Sequence, residues 1–240
     1  MAVDELIELG KDILFPRRCP VCDEVMVFRS GLICKTCKPR VIPVRQPFCA
    51  CCGKPLISSE AELCKICMVE SRAFDKARAA VIYNDAAARI ILDMKDNNKR
   101  ENTDFIAECI IERLSKELKM FGAEGIIPVP LDEDAYMRRG FNQSELIALK
   151  LSKYLHIPIY NSVVKRLKAA KQQKSLDLNG RRKNLKRSFI IQKNDVKLKR
   201  VILVDDVYTT GCTADELSSV LKSKGVNSVM VVTFATGVPK

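Results

Sequence analysis

The sequence predicts an α/β protein whose parallel sheet carries helices on both faces and follows a small cysteine-rich module. Nine of the eleven cysteines lie between Cys19 and Cys67, which separates an N-terminal module from the rest of the chain. Beyond Phe74, apolar strands alternate with amphipathic helices, as in parallel sheets buried on both faces. Apolar residues make up 47% of the chain, enough for a substantial core. We expect the module to span residues 1–72 and the sheet domain residues 73–240.

The N-terminal segment, residues 1–15, predicts a short amphipathic helix. Its apolar residues, among them Leu6 and Ile13, alternate with acids, so it lacks the basic start and unbroken apolar run of a secretory signal. Nowhere does an apolar run approach the roughly 20 residues that a membrane-spanning helix needs. We therefore favour a helix over a membrane anchor here and expect a cytoplasmic protein.

The cysteines form a repeat of four CxxC pairs, each starting fifteen residues after the previous one. A CxxC turn aims two thiolates at one point, and two such turns complete a four-thiolate zinc site without an open position for catalysis. The repeat therefore predicts a zinc-ribbon module with two structural zinc ions, each held by four cysteines. A crossed pairing of first with third turn remains open, as does Cys51 as a competing ligand; redox cysteines are the less favoured alternative. The natural ligand sets are Cys19, Cys22, Cys34 and Cys37, and then Cys49, Cys52, Cys64 and Cys67.

The remaining elements follow in chain order from apolar periodicity. Ser144 is the predicted N-cap of the third helix and Gly225 the predicted C-cap of the fourth. Ligands in such sheets bind beyond the carboxyl ends of the strands, which directs attention to the segments that follow them. The predicted strands are 77–83, 125–130, 200–204 and 227–234, and the predicted helices are 86–94, 103–121, 144–155 and 213–224.

The segment after the most apolar strand combines carboxylates, threonines and a glycine at the start of a helix. Backbone amides at the helix start favour an anion, and Gly211 allows close backbone approach. Two adjacent carboxylates are suited to a diol, so the segment fits a ribose 5-phosphate; a Walker lysine for a nucleoside triphosphate is absent. We predict a sugar-phosphate site, most specifically for phosphoribosyl pyrophosphate, formed by Asp205, Asp206, Thr209, Thr210, Gly211, Cys212 and Thr213.

Basic residues elsewhere in the sheet domain are candidates for a pyrophosphate group. Arg138 and Arg139 stand next to a glycine, where paired guanidinium groups can clamp a pyrophosphate. Lys95, at the end of the first predicted helix, could reach the same place, although a solvated helix end is the alternative. We take these three residues as the predicted pyrophosphate ligands.

The positive charge of the chain is concentrated in one block. Residues 160–200 hold fourteen Lys or Arg and two acids, a net +12 that equals the net charge of the whole chain. The block lies before the strand of the sugar-phosphate segment, so we expect it to meet a polyanion or pyrophosphate or to cover the site as a lid. Arg181, Arg182 and Lys183 are the candidates for contact with nucleic acid, which would be salt-sensitive and weakly sequence-specific.

These features together resemble a known family. The stretch 201–213 resembles the phosphoribosyl pyrophosphate loop of type I phosphoribosyltransferases. Together with Arg139-Gly140-Phe141-Asn142-Gln143, the basic stretch 173–184 and the cysteine ribbons, it resembles the ComF family of competence proteins along nearly the whole chain.

The resemblance implies a type I phosphoribosyltransferase-like fold and a role in natural transformation, with a DNA helicase as a partner. It implies that Asp205 and Asp206 hold the ribose hydroxyls, that the threonines cradle the 5-phosphate, and that Mg²⁺ accompanies the pyrophosphate. Asp132, Glu133 and Asp134 depart from the family pattern, which often has His and basic residues there. Two other hypotheses are an active phosphoribosyltransferase of nucleotide salvage or metabolism, and a zinc-stabilised scaffold with an inactive pocket.

Overall fold

A computed structural model describes residues 16–26, 31–167, 189–191 and 197–238. The helix predicted for residues 1–15 and the candidates Arg181, Arg182 and Lys183 lie outside these ranges. The strands are β1 (Lys76–Ile82), β2 (Gly125–Pro128), β3 (Val164–Arg166), β4 (Phe189–Ile191), β5 (Arg200–Tyr208) and β6 (Ser228–Thr236). The helices are α1 (Lys65–Val69), α2 (Asp85–Asp96), α3 (Asn102–Phe121), α4 (Glu133–Arg139), α5 (Gln143–Leu155) and α6 (Cys212–Lys222), with a 3-10 turn at Lys38–Arg40.

Four strands form the main sheet in the order β1-β6-β5-β2, and all of its pairings are parallel. β3 and β4 pair with each other as a separate antiparallel ribbon. The parallel sheet predicted from the continuous apolar strands is therefore confirmed. Its two central strands, β5 and β6, are the last two along the chain.

Side chains of β5 alternate between two cores, as the two-residue period of a strand requires. Ile202 and Val204 join a core with α2, α3 and α5. Val201 and Leu203 face the opposite way and join a core with α6. Helices thus cover both faces of the sheet, as predicted: in the described part of the chain, α2, α3 and α5 pack on one face and α6 on the other.

The two cysteine ribbons complete these layers on opposite sides. Cys19 and Cys37 of the first ribbon belong to the core that contains α2 and α3. Cys49 and Cys52 of the second ribbon belong to the core that contains α6, and so lie on the same face of the sheet as that helix. The module therefore packs on both faces of the sheet.

Several boundaries differ from the predictions because polar residues take structural roles. The predicted strand end at Val204 is wrong, since β5 continues to Tyr208. Ser144 is not the N-cap of α5; Asn142 is, and its side chain accepts a hydrogen bond from the Ser144 amide. α6 ends at Lys222 with Ser223 as C-cap, and Gly225 lies beyond it with a φ of +97°.

Helix α4 was not predicted, and it explains the three acids after β2. Asp132 is the N-cap, and its carboxylate accepts from the Ala135 amide at 2.8 Å. Glu133 and Asp134 lie in the first helical turn, where the helix dipole favours negative charge. Among the described helices, none combines the length and apolarity needed to cross a membrane.

Candidate functional site

The candidate sugar-phosphate segment lies where β5 meets α6 at the carboxyl edge of the sheet. Asp205, Val207 and Tyr208 pair with Thr233, Ala235 and Thr236 of β6, so the strand continues through both carboxylates. The ladder with β6 overrides the low strand propensity of aspartate. Only the turn from Thr209 to Gly211 separates the end of the strand from the start of α6.

Asp206 is the most enclosed carboxylate of the segment, with 4% of its surface exposed. Lys95 Nζ lies 2.5 Å from its Oδ2, and Gln143 Nε2 donates to its Oδ1 at 3.2 Å. A buried carboxylate is costly unless it is paired and hydrogen-bonded, and these two contacts meet that requirement. Lys95 and Asp206, both predicted site residues, are therefore brought together as an ion pair.

Asp205 has a different environment, although it is the adjacent residue. Ser144 Oγ donates to Asp205 Oδ1 at 3.0 Å, and the Asp206 amide donates to the same oxygen at 2.9 Å. Burial, together with the negative charge of Asp206, raises the pKa of Asp205 to about 7. The two carboxylates thus differ: one has a cationic partner, and the other is held by neutral donors.

The part of the segment predicted to bind phosphate is the start of α6. Gly211 is its N-cap, with a left-handed φ of +81° and no capping side chain. An added Cβ at this position would lie 2.2 Å from the Tyr208 hydroxyl, so only glycine fits. The Cys212 amide donates a long hydrogen bond of 3.4 Å to Thr210 Oγ1. Thr209, Thr210 and Cys212 are exposed, and the site can accept an anion from solvent.

The two predicted arginines are placed differently by α4. Arg139 Nη1 donates to Gln143 Oε1 at 3.2 Å, and Gln143 in turn donates to Asp206. Arg138 is exposed, on the last turn of the same helix. Arg139 is therefore linked to Asp206 through the Gln143 side chain, whereas Arg138 points to solvent.

Gln143 and Ser144 are contact residues that the sequence-based site did not include. Both lie in the first turn of α5, where each hydrogen-bonds to one of the two carboxylates. A signal was available, because Gln143 ends the Arg-Gly-Phe-Asn-Gln motif and Ser144 directly follows it. Their orientation depends on α5 packing against β5, which is a non-local contact.

The eight CxxC cysteines form two clusters of four, in the adjacent pairing. Within each cluster all sulfur atoms lie within 4.8 Å of one another, so the crossed pairing is excluded. The separations of 3.9 Å for Cys22–Cys34 and 3.6 Å for Cys52–Cys64 suit a tetrahedral ion, since Zn–S bonds of about 2.3 Å place sulfurs about 3.8 Å apart. The clusters are Cys19, Cys22, Cys34 and Cys37, and Cys49, Cys52, Cys64 and Cys67. Both sites fit structural zinc.

The second ribbon contacts the sugar-phosphate segment through Tyr208. The Tyr208 ring packs edge-on against Phe74, with 6.1 Å between centroids and an 88° interplanar angle. Lys54 Nζ lies 5.9 Å from the Tyr208 ring centroid. The Ala73 amide, just after the ribbon, donates to Asp215 in the first turn of α6 at 2.6 Å. The second ribbon therefore supports the turn before α6, whose amides are the ones predicted to bind phosphate.

The first ribbon is tied to α2 by a lysine bridge. Lys99 Nζ lies 2.7 Å from Asp23 in the ribbon and 3.1 Å from Asp93 in α2. Hydrogen bonds from Asn97 and Lys99 to the Asp93 carboxylate outweigh its burial and lower its pKa. These contacts lie on the helix that also carries Lys95.

Comparisons with known proteins agree with this arrangement. The double zinc ribbon domain family matches residues 11–68. Competence protein F of Haemophilus influenzae is 33% identical over 90% of this chain and 96% of its own length. Competence protein ComFC of Streptococcus pneumoniae is 27% identical over 88% and 96%, and DNA utilization protein YhgH of Escherichia coli K12 is 27% identical over 90% and 95%.

Two solved structures align with part of the chain. A purine phosphoribosyltransferase from Pyrococcus horikoshii aligns at 20% identity with a TM-score of 0.35, covering 55% of this chain and 73% of its own. A hypoxanthine phosphoribosyltransferase from Staphylococcus aureus aligns at 16% identity with a TM-score of 0.33, covering 57% and 75%. The near full-length match to competence protein F and the two four-cysteine ribbons show that the chain belongs to the competence protein F (ComF) family.

Proposed function

We propose that the protein binds phosphoribosyl pyrophosphate with Mg²⁺ and acts in DNA uptake in the cytoplasm. The observation that carries the proposal is the buried Asp206, held by Lys95 and Gln143, one turn before the open amides of α6. A sugar-phosphate site needs acceptors for the sugar hydroxyls and, close to them, a group of donors for the phosphate. The chain supplies both at the carboxyl edge of a parallel sheet.

Each group has a role in this proposal. The amides and hydroxyls from Thr209 to Thr213 would bind the 5-phosphate, and Asp205 and Asp206 the ribose hydroxyls. Lys95 and Arg139 would neutralise the pyrophosphate, while Arg138 is free to approach from solvent. Carboxylate, hydroxyl and phosphate oxygens are ligands that Mg²⁺ accepts, and the ion would supply further charge neutralisation.

Lys95 balances Asp206 in the absence of a ligand and can turn toward the pyrophosphate when one arrives. The buried carboxylate then requires replacement donors, which the ribose hydroxyls provide. Binding would therefore exchange the Lys95 ammonium for hydroxyl donors, so that the Asp206 carboxylate stays hydrogen-bonded.

The binding test is calorimetry with phosphoribosyl pyrophosphate and Mg²⁺ on the zinc-loaded chain. We expect Asp206→Asn to weaken binding by at least about tenfold, or about 1.4 kcal/mol. Asp96→Asn is the matched control, because it makes the same charge change at an exposed position of α2. Equal affinities in all three proteins would remove the basis of the proposal.

The role in DNA uptake is supported by the names of the related proteins, which refer to competence and DNA utilization. Single-stranded DNA is the proposed nucleic-acid ligand, with Arg181, Arg182 and Lys183 as its contacts and a competence helicase as a protein partner. Affinity for an oligothymidylate should fall steeply with salt, and neutralising these three residues should flatten that slope. A slope that the triple substitution leaves unchanged would argue against this assignment.

A second candidate function is phosphoribosyl transfer to an acceptor, as in nucleotide salvage or metabolism. It is favoured by a large apolar cavity next to the turn from Thr209 to Gly211, called the phosphate turn below. Binding of the sugar phosphate alone does not require such a cavity. In such a transfer a nucleophilic atom of the acceptor would bond to the anomeric carbon as the C–O bond to pyrophosphate breaks, and cationic side chains, with Mg²⁺ if bound, would stabilise the leaving pyrophosphate. Release of pyrophosphate across a panel of acceptors tests it; binding without turnover would leave the binding role alone.

A further inference from the structure

A cavity of about 950 Å³ lies between the second ribbon and the carboxyl edge of the sheet. Small-molecule sites typically measure about 300–1,000 Å³, so its size is that of a complete ligand site. Leu56, Ile57 and Met68 line the ribbon side, and Tyr83, Leu92 and Val207 line the sheet side. The walls are predominantly apolar and come from two parts of the chain that are distant in sequence.

The cavity is continuous with the sugar-phosphate segment. Thr209 and Thr210 of the phosphate turn are among its lining residues, and so is Lys95, the partner of Asp206. A molecule in the cavity would therefore lie beside a sugar held by Asp205 and Asp206. This is the position from which a second reactant can reach the ribose.

Its charged lining residues all have the same sign. They are Lys54, Lys65 and Lys95, and no carboxylate of the described residues lines the cavity. Within the described part of the chain, Lys54 and Lys65 form no ion pair, so both can meet the charge of a ligand. Apolar walls and cations without acids complement an apolar molecule that bears negative charge.

We infer that this cavity is an acceptor subsite for a small aromatic anion, such as an aromatic carboxylate, with the second ribbon as one wall. The inference rests on the proposed binding of phosphoribosyl pyrophosphate and adds the class of the second ligand. It also gives the second zinc site a role in substrate selection, because residues 56–68 lie between or beside its ligands. The aromatic ring would pack against Ile57, Met68 and Leu92, and its anionic group would face the lysines.

The test uses two fluorescent probes with the same ring system and different charge. 1-Anilinonaphthalene-8-sulfonate is anionic, and N-phenyl-1-naphthylamine lacks its sulfonate. Both are titrated into the zinc-loaded full chain at saturating phosphoribosyl pyrophosphate and Mg²⁺. We expect both ligand classes to bind together, with the anionic dye bound at least about threefold more tightly, a modest gain for a partly solvated ion pair.

Three variants locate the bound dye. Ile57→Glu places a carboxylate on a lining side chain that is 96% exposed, so folding is retained; loss of apolar contact should weaken both dyes by about threefold or more, and repulsion should weaken the anionic dye further. Lys65→Glu should weaken only the anionic dye. Met120→Glu, at a 75% exposed methionine of α3 away from the cavity, is the control and should change neither dye.

Each alternative outcome is distinct. If phosphoribosyl pyrophosphate does not bind the wild type, the proposed function itself fails. If it binds and Ile57→Glu affects the dyes no more than Met120→Glu, only the acceptor subsite is overturned. Displacement of the anionic dye by phosphoribosyl pyrophosphate, or by an oligothymidylate, would also overturn it, by assigning the cavity to the sugar phosphate or to nucleic acid.

Discussion

The two ribbons have the same ligand spacing but different neighbours. Cys22 of the first cluster is exposed, whereas its counterpart in the second, Cys52, is buried at 3%. The first ribbon packs against α2 and α3, and the second packs against Tyr208 and the start of α6. The two ribbons therefore have the same metal ligands but different contacts with the candidate site.

The largest expected effect separates the two zinc sites directly. Cys22→Ser and Cys52→Ser replace equivalent ligands, and each should cost one zinc ion, measured by metal analysis. Only Cys52→Ser should weaken the binding of phosphoribosyl pyrophosphate by more than about tenfold, because it is the second ribbon that contacts Tyr208 and the phosphate turn. An equal loss in Cys22→Ser would show that the ribbons act through global stability and not through contact.

A second prediction concerns the junction of Tyr208 and the phosphate turn. Gly211→Ala places a Cβ 2.2 Å from the Tyr208 hydroxyl, at a residue whose φ is already +81°. The substitution should destabilise the protein by about 2–4 kcal/mol. Gly225→Ala is the control, with a φ of +97° and open space around its Cβ, and should cost about 1 kcal/mol. Urea unfolding measures both, and similar losses would mean that the contact with Tyr208 relaxes freely.

A third prediction concerns a substitution that removes a buried polar atom, the Tyr208 hydroxyl oxygen, from the same junction. The Tyr208 hydroxyl is buried without a hydrogen-bond partner among the described residues, and desolvation raises its pKa. Tyr208→Phe should therefore preserve or raise stability, by up to about 1 kcal/mol, because the ring keeps its packing against Phe74. A clear loss of thermal stability would indicate that the hydroxyl has a partner that this arrangement does not include.

The last prediction is a pH dependence of stability at Asp205. Its pKa is raised from 3.8 to about 7 in the folded chain, so the folded state favours the protonated form. The contribution to stability is complete below the unfolded pKa and is lost as the pH rises through about 7, by an amount on the order of 4 kcal/mol. Asp205→Asn should be free of this trend, as measured by unfolding between pH 5 and about 8. If the stabilities of the wild type and of Asp205→Asn changed with pH in the same way, the raised pKa of Asp205 would be contradicted.

The sequence was most informative where the signal is local. The CxxC spacing predicted both ligand sets, and alternating apolar strands and helices predicted the parallel sheet. Residues with two possible roles were harder to assign: Asp132 and its neighbours stood out only as a departure from the family pattern, because their capping role depends on the helix that follows. The pairing of Lys95 with Asp206, and the ribbons on opposite faces, are contacts between distant residues that no local pattern encodes.

The strand order has a consequence for synthesis of the chain. β1 and β2 are made early, but their partners within the main sheet, β6 and β5, are made late. Each set of four cysteines, in contrast, is complete within a short N-terminal stretch. The nascent chain can therefore load metal while still on the ribosome, and its edge strands must wait for the last residues. A truncation before residue 228 would leave β1 without its partner and its apolar residues open to aggregation.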